Sequence, residues 1–478
     1  MKKLILTALT VFAFVSCQSD EQYENYNRDT KNPTQVKADF LFNSATKSLF
    51  DQMTSTNVNS NIFRLLGQHW TETTYVDEAN YDFNTRSITA SHWNELYRDV
   101  LLDLKAAKDI VNADDKLSSA QKKTRNAQIE ILTVYAWANL VENFGDIPYT
   151  QALDPGQFAL PTYDKAETIY TDLIQRLTLA IPALTDDGFG TVDPIYSGNS
   201  TKWKKFGNSL LLRMGIRVAD VASMNTISQT AIRSAIAGGV INSNADNAAI
   251  NYAATSPNTN PVWVDLVQSG RSDFVIANTI VDAMNSLNDP RRTSYFDENL
   301  GTGVFLGGPY GDNNSFTRYT HVSDRIIDPT NPASLIDYSE VSFYLADAAE
   351  RSISGTPAQA VTFYNQGITA SFDYWGATGV TSYLANPNVN YATAPGTWKV
   401  KIGKQLWLAM YNRGYEAWTA WRQYDFPGFI KPAVSGADVP TRLTYPLAEQ
   451  NLNTVNYNAG STSIGGDKQT TKLFWDKF

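Results

Sequence analysis

Three stretches of this chain set large rings beside planar hydrogen-bonding groups. "GQHWTETTYVDEANYDF" (67–83) carries Trp70, Tyr75 and Tyr81 with Gln68, Glu72 and Asp77. "VWVDLVQSGRSDF" (262–274) carries Trp263 with Asp265, Arg271 and Asp273. The region 303–319 sets Tyr310, Phe316 and Tyr319 next to Asp312, Asn313 and Asn314. Flat apolar faces of ligands pack on large rings, and ligand hydroxyls pair with planar polar groups. A pocket for such ligands is mostly apolar with a few placed polar groups. The candidate ligand contacts are therefore Gln68, Trp70, Tyr75, Asp77, Tyr81, Trp263, Arg271, Tyr310, Asn313 and Phe316. A ring on its own is also core material, so the expectation is that at least two of these rings line a site.

Catalysis finds less support. The chain has no HExxH, GxSxG, Walker or dinucleotide-binding pattern. His69, His92 and His321 are its only histidines and stand at no metal-ligand spacing. Carboxylates are abundant, so a glycosidase pair remains a remote alternative. Asp186-Asp187 and Asp193 are oxygen-rich and leave calcium open, but they fit no EF-hand-type spacing, and calcium needs six or more oxygens. The reading is a binder, not an enzyme, with no cofactor.

The only cysteine, Cys17, sits in "FVSCQSDE" (14–21). Lys2 and Lys3 precede an apolar run from Leu4 to Val15, the pattern of a secretory signal. That run is too short to span a bilayer. The cleavage region resembles the lipobox of bacterial lipoproteins, in which the cysteine is acylated and becomes the mature N-terminus. An ordinary signal peptide with a stray cysteine is the alternative. A lone cysteine makes no internal disulfide, and several acyl chains on it would anchor firmly where one holds only marginally. Residues 1–16 are thus read as a lipoprotein signal peptide and 17–36 as a lipid-anchored tether ending near Asn32-Pro33.

The sequence holds 39 Lys+Arg against 48 Asp+Glu; without Lys2 and Lys3 the balance is 37 against 48, or −11. A chain this acidic, with no basic run, is a poor binder of phosphate backbones, so nucleic acid is excluded. After the signal, the longest strongly apolar stretch (131–141) cannot cross a membrane. The lipid is the one expected membrane contact. With 43% hydrophobic residues the chain can bury a real core.

Helical periodicity must position the rings. It runs through 40–53 (Phe40, Leu41, Ala45, Leu49 and Phe50 on one stripe), 93–111, 126–145, 165–184, 202–221, 339–352, 357–376 and 403–425. Alternation of period two is rare. The fold class is mainly α: a tetratricopeptide-like helix-pair scaffold with long loops and minor β content. The pair 339–352 and 357–376, joined at Gly355-Thr356-Pro357, is the clearest, with Phe343, Ala346, Ala349 and Ala370 able to nest. No clean 34-residue repeat is visible. From about 242 to 334 the pattern weakens, apart from a short helix near 278–287, and ordered long loops of this kind are usually functional.

Several blocks, in order along nearly the whole chain, resemble the SusD/RagB family of nutrient-binding outer-membrane lipoproteins, in its SusD-like starch-binding-associated branch. They are "FGDIPYTQA" (144–152), "IYSGNSTKWKKFGNSLLLRMGIR" (195–217), "LNDPRR" (287–292), "GGPYG" (307–311), "EVSFYLADAAERS" (340–352), "GYEAWTAWRQYDFP" (414–427), "YPLAEQNLN" (445–453) and "GGDKQTTKLFWD" (465–476). The resemblance implies four tetratricopeptide-like helix pairs with variable loops on one face, making 37–478 a single nutrient-binding domain. It implies a partner, a SusC-like TonB-dependent transporter, on which the protein sits as a lid at the outer membrane, facing the cell exterior. The acidic residues after Cys17 resemble an export signal to that face, the alternative being a merely solvated linker. The ligand implied is an oligosaccharide, or alternatively a peptide or another nutrient. The charge of −11 leans against acidic ligands. The shared blocks themselves read as scaffold: Gly145 as a helix stop, Trp203, Phe206, Leu210 and Leu211 as core, Glu416 with Arg422 and Asp347 with Arg351 as ion pairs or solvated faces.

Overall fold

Short cap signals set where the helices begin and end. The computed structural model describes residues 36–83 and 85–476; the signal segment, Cys17 and the tether up to residue 35 lie outside them. The principal helices are α1 (Ala38–Thr54), α2 (Leu102–Ala113), α3 (Ser119–Phe144), α4 (Ala166–Ala180), α5 (Ser200–Arg217) and α6 (Asn225–Gly238), then α7 (Tyr338–Glu350), α8 (Pro357–Trp375), α9 (Trp398–Ala409) and α10 (Gly414–Tyr424). Ser118 and Gln121 form a reciprocal capping box ahead of α3, and Thr356 and Gln359 form another ahead of α8, with Pro357 in its first turn. Gly145, at φ 86°, stops α3.

Four helix pairs follow: α3 with α4, α5 with α6, α7 with α8, and α9 with α10. Helix α1 packs on α2 and on the π-helical stretch Glu95–Leu101 before it. In α8, a Cβ at Gly367 would lie 2.8 Å from the Phe343 ring of α7. That glycine, with Ser339 Oγ donating to Gly367 O at 2.7 Å, lets the pair close. Strands are short: β1 (Trp70–Glu72), β2 (Ile147–Pro148), β3 (Tyr163–Asp164), β4 (Ala248–Ile250), β5 (Phe274–Ile276) and β6 (Ala333–Ile336), paired antiparallel as β1–β5, β2–β3 and β4–β6. One buried apolar cluster runs from Ala38 to Trp475 and takes in Trp203, Phe206, Leu210 and Leu211.

Three expectations change. The run 403–425 is two helices, because Asn412 takes φ 69° and Gly414 lies so close to the Phe63–Arg64 backbone that a Cβ there would sit 2.4 Å from Arg64 N. The break creates the fourth pair. Phe40 is 66% exposed, since α1 buries Phe42, Ala45, Thr46, Leu49 and Phe50. Glu416 does not meet Arg422: six residues apart, they leave α10 on different sides. Arg422 stacks on Trp418 at 3.6 Å and donates to Glu142 O at 2.7 Å.

Glu416 instead joins a buried network across the pairs. Arg213 of α5 reaches Glu340 of α7 at 2.7 Å and Glu416 at 3.0 Å. Arg413, between α9 and α10, reaches Glu340 at 2.7 Å. Arg217 of α5 meets Glu142 of α3 at 3.3 Å, and the hydroxyls of Tyr170 and Tyr415 donate to Glu142 at 2.8 and 2.6 Å. Asp347 pairs with Arg351 at 2.5 Å. Burial alone would raise the Glu340 carboxyl, but Arg213 and then Arg413 overcome it and hold the group below its ordinary range. Glu416 makes its ion pairs without a well-aligned hydrogen bond, and burial pushes its carboxyl up to about 7. Breaking one partner of a buried pair leaves an uncompensated charge and costs about 3–5 kcal/mol. Glu340→Ala is expected to lose that much in urea unfolding, and a loss under about 1 kcal/mol would contradict the role assigned to the network.

Candidate functional site

The three ring-bearing loops meet on one face, joined by main-chain hydrogen bonds. β1 and β5 bring 67–83 against 262–277, in the register Trp70↔Ile276, Thr71↔Val275 and Glu72↔Phe274. Gly308 N donates to Ile276 O and Asn278 N to Gly308 O, both at 2.9 Å, so the third loop lies along β5. Gly307 is needed there, because a Cβ would stand 2.3 Å from Asn278 Cα. A fourth segment, 427–438, closes the layer: Ala433 N donates to Tyr310 O and Ser435 N to Asn80 Oδ1, both at 2.8 Å. It was not singled out from the sequence, although Pro427, Gly428, Pro432 and Gly436 punctuate it as a turn-rich loop.

Four of the ten candidates lie inside this layer and hold it together. Gln68 is fully buried; its Nε2 donates to Tyr81 Oη at 3.1 Å and Ile430 O at 2.6 Å, and its Oε1 accepts from Thr279 Oγ1 at 3.0 Å and Ile430 N at 3.1 Å. Trp70 is buried under Arg64, with its indole N–H 3.3 Å from Tyr411 Oη. Tyr81 is buried with its ring centroid 6.0 Å from that of Tyr310. Tyr310 donates to Leu65 O at 2.8 Å. With their polar atoms engaged internally, these four position the loops rather than face solvent.

The other six reach the surface. Tyr75 is 70% exposed, and Asp77 and Asn313 are exposed. Trp263 is half-buried on the short helical segment Pro261–Trp263. Arg271 and Phe316 come together in a cavity of about 120 Å³, which Leu266, Phe274, Asp297, His321, Val322 and Asp324 also line. The Phe316 and His321 rings stack there, with centroids 3.8 Å apart and planes 17° from parallel. Arg271 Nε donates to Asp273 at 2.5 Å. The space equals about four water volumes. His321, Asp297 and Asp324 lie outside the three ring-and-amide stretches of the sequence. The one trace is a histidine five residues after Phe316.

A larger groove of about 270 Å³ lies against α2, α3 and α4, but its aromatic residues are already engaged. Trp137 is flanked edge-on by Tyr97 and Tyr149, and Lys108 and Arg176 neutralise Glu130. The oxygen-rich Asp193 spends its carboxylate on Ile195 N, Tyr196 N, Gly198 N and the Trp203 indole. Among the described residues no group of three or more His, Cys, Asp or Glu is placed to hold a metal ion.

A family model described as "Starch-binding associating with outer membrane" matches residues 30–446. The chain belongs to the SusD-like family. Solved SusD-like structures share the fold. A SusD homolog from Bacteroides uniformis is 27% identical, with a TM-score of 0.76 over 92% of this chain and 100% of its own. A chitin-binding protein is 23% identical, with a TM-score of 0.78 over 92% and 100%. A chitin-binding SusD homolog from Flavobacterium johnsoniae is 23% identical, with a TM-score of 0.76 over 91% and 98%. No curated protein sequence matches the chain. The family is associated with the outer membrane, and among the described residues no helix is long and apolar enough to cross a membrane.

Beneath the loop layer of this SusD-like chain, two buried carboxyls face each other. Glu72 Oε2 accepts from Ala79 N at 2.8 Å, and Arg86 reaches Glu78 at 2.6 Å. Burial first, then the facing Glu78 charge, pushes the Glu72 carboxyl far above its ordinary value of 4.5; burial raises Glu78 as well. The folded state therefore holds a proton that the unfolded chain releases near its ordinary value. The stability linked to it is complete at pH below about 4.5 and declines as pH rises through the neutral range. Glu72→Gln removes that loss while leaving an amide oxygen for Ala79 N. Its unfolding free energy in urea is expected to gain on the parent's as pH goes from 5 to 9, by about 1–3 kcal/mol. Parallel pH profiles would show that the pair holds no shared proton.

Proposed function

We propose that this SusD-like chain captures oligosaccharides outside the cell and passes them to a SusC-like TonB-dependent transporter. Acylated Cys17 holds it to the outer membrane, facing the exterior, with 17–36 as its tether and 37–478 as one nutrient-binding domain. The observation that carries the reading is the Phe316–His321 stack beside Arg271 in an open cavity on the loop face. A stacked ring pair at a solvent-open rim offers the flat apolar surface that sugar C–H patches need. Arg271 supplies a planar donor for hydroxyls, and Trp263, Tyr75, Asp77 and Asn313 also reach the surface on the loops that form this layer. The family description, and chitin binding by two of the similar structures, support a carbohydrate ligand. Binding and hand-over are the function, with the glycan left intact.

Isothermal titration with neutral oligosaccharides tests this, with each ligand recovered afterwards and checked for cleavage. Phe316→Ala is expected to weaken binding about tenfold, in line with roughly 1–1.5 kcal/mol for a ring contact. Leu179→Ala, on the exposed side of α4, should leave it unchanged. Unaltered affinity in Phe316→Ala would move the site elsewhere on the face, and cleavage of the ligand would overturn the binder reading.

A further inference from the structure

The cavity's charge goes beyond what a neutral sugar requires. Arg271 and Asp273 pair with each other, so their charges offset. Asp297 and Asp324 remain, with His321 between Phe316 and Asp297. His321 Nε2 lies 2.7 Å from Phe316 O. A carbonyl oxygen only accepts, so Nε2 carries the proton. In the neutral imidazole Nδ1 is then an acceptor, and it faces Asp297 Oδ2 at 4.0 Å. Two acceptors thus stand across a gap too wide for a direct hydrogen bond. Both are open to solvent, with the Asp297 side chain 44% and the His321 side chain 21% exposed. A nitrogen at about 2.9 Å from each would close that triangle.

We propose that the cavity is an ammonium subsite, holding the protonated amino group of a hexosamine-containing glycan between His321 Nδ1 and Asp297. The sugar ring lies against the Phe316–His321 stack, and Asp324 adds a second negative charge. An ammonium brings three donors and a charge, whereas an acetamido group brings one donor and no charge. This rests on the reading of the chain as a glycan binder.

Calorimetric titration of the full-length protein in detergent near neutral pH tests it. The ligands are tetramers of glucosamine, N-acetylglucosamine and glucose, with spermine as a cation that carries no sugar. The glucosamine tetramer is expected to bind roughly fivefold tighter than the other two, the size of a charge-assisted contact at a partly exposed site. Asp297→Asn should remove that preference while keeping affinity for the neutral tetramers, and Asp324→Asn should reduce it. Equal binding of all three tetramers, or a preference that survives Asp297→Asn, overturns the subsite and leaves the glycan-binding reading standing. Spermine binding as tightly as the glucosamine tetramer also overturns it, since general attraction to an acidic protein then explains the preference. No binding of any tetramer removes the glycan reading, and this inference with it.

Discussion

Everything on the loop face depends on a charge network that the helix pairs share. Glu340 takes guanidinium groups from two different pairs, and Glu142 takes Arg217 and two tyrosine hydroxyls. Apolar packing between helices tolerates sliding, because dispersion contacts are numerous and individually weak. A buried carboxylate between two guanidiniums does not, since a shift that lengthens either contact exposes a charge to a low-dielectric interior. The network therefore sets the register of pair against pair. Met410–Arg413, the bend that makes the fourth pair, carries one of the arginines, so the turn and the network specify each other.

The loop layer repeats this logic with neutral groups. Gln68 uses both ends of its amide, and Asn314 Nδ2 donates to Glu72 O at 2.9 Å, so side chains satisfy main-chain atoms that two-residue and three-residue strands cannot. Buried main-chain groups left unpaired would each cost about 1–3 kcal/mol. This is why amide, hydroxyl and ring residues are concentrated here. They replace the sheet that loops of this length would otherwise need.

That replacement also explains what the sequence could and could not reveal. Helix periodicity identified most of the scaffold, and Gly355-Thr356-Pro357 marked one pair completely, because burial on one side of a helix leaves a regular trace. Helix α6 left a weak trace, its inward positions being Ser228, Ala231, Ile232 and Ala235 among polar residues. In the loops, a ring beside an amide is the composition both of a sugar platform and of a sheet substitute. Gln68, Trp70, Tyr81 and Tyr310 are the second kind, and Arg271 and Phe316 reach the cavity. Two glycines just before Tyr310 were the sign of close main-chain approach that could have placed it inside. Nothing comparable marked His321, which matters only because the chain folds back to lay it on Phe316.

A division of labour follows from where the polar atoms are spent. Gln68, Trp70 and Tyr310 inside the layer have their side-chain donors committed, so the loops are ordered before a ligand arrives and little conformational entropy remains to be lost on binding. That suits saccharides, whose individual contacts are weak and whose hydroxyls already hydrogen-bond well to water. The rim residues Phe316, His321, Asp297 and Asp324 have uncommitted surface and lie outside the charge network. Changes there act nearly independently of the scaffold. Under the proposed function, a face built this way can alter the sugar it prefers by exchanging a few rim side chains, while the carboxylates and guanidiniums beneath keep the helix pairs in register.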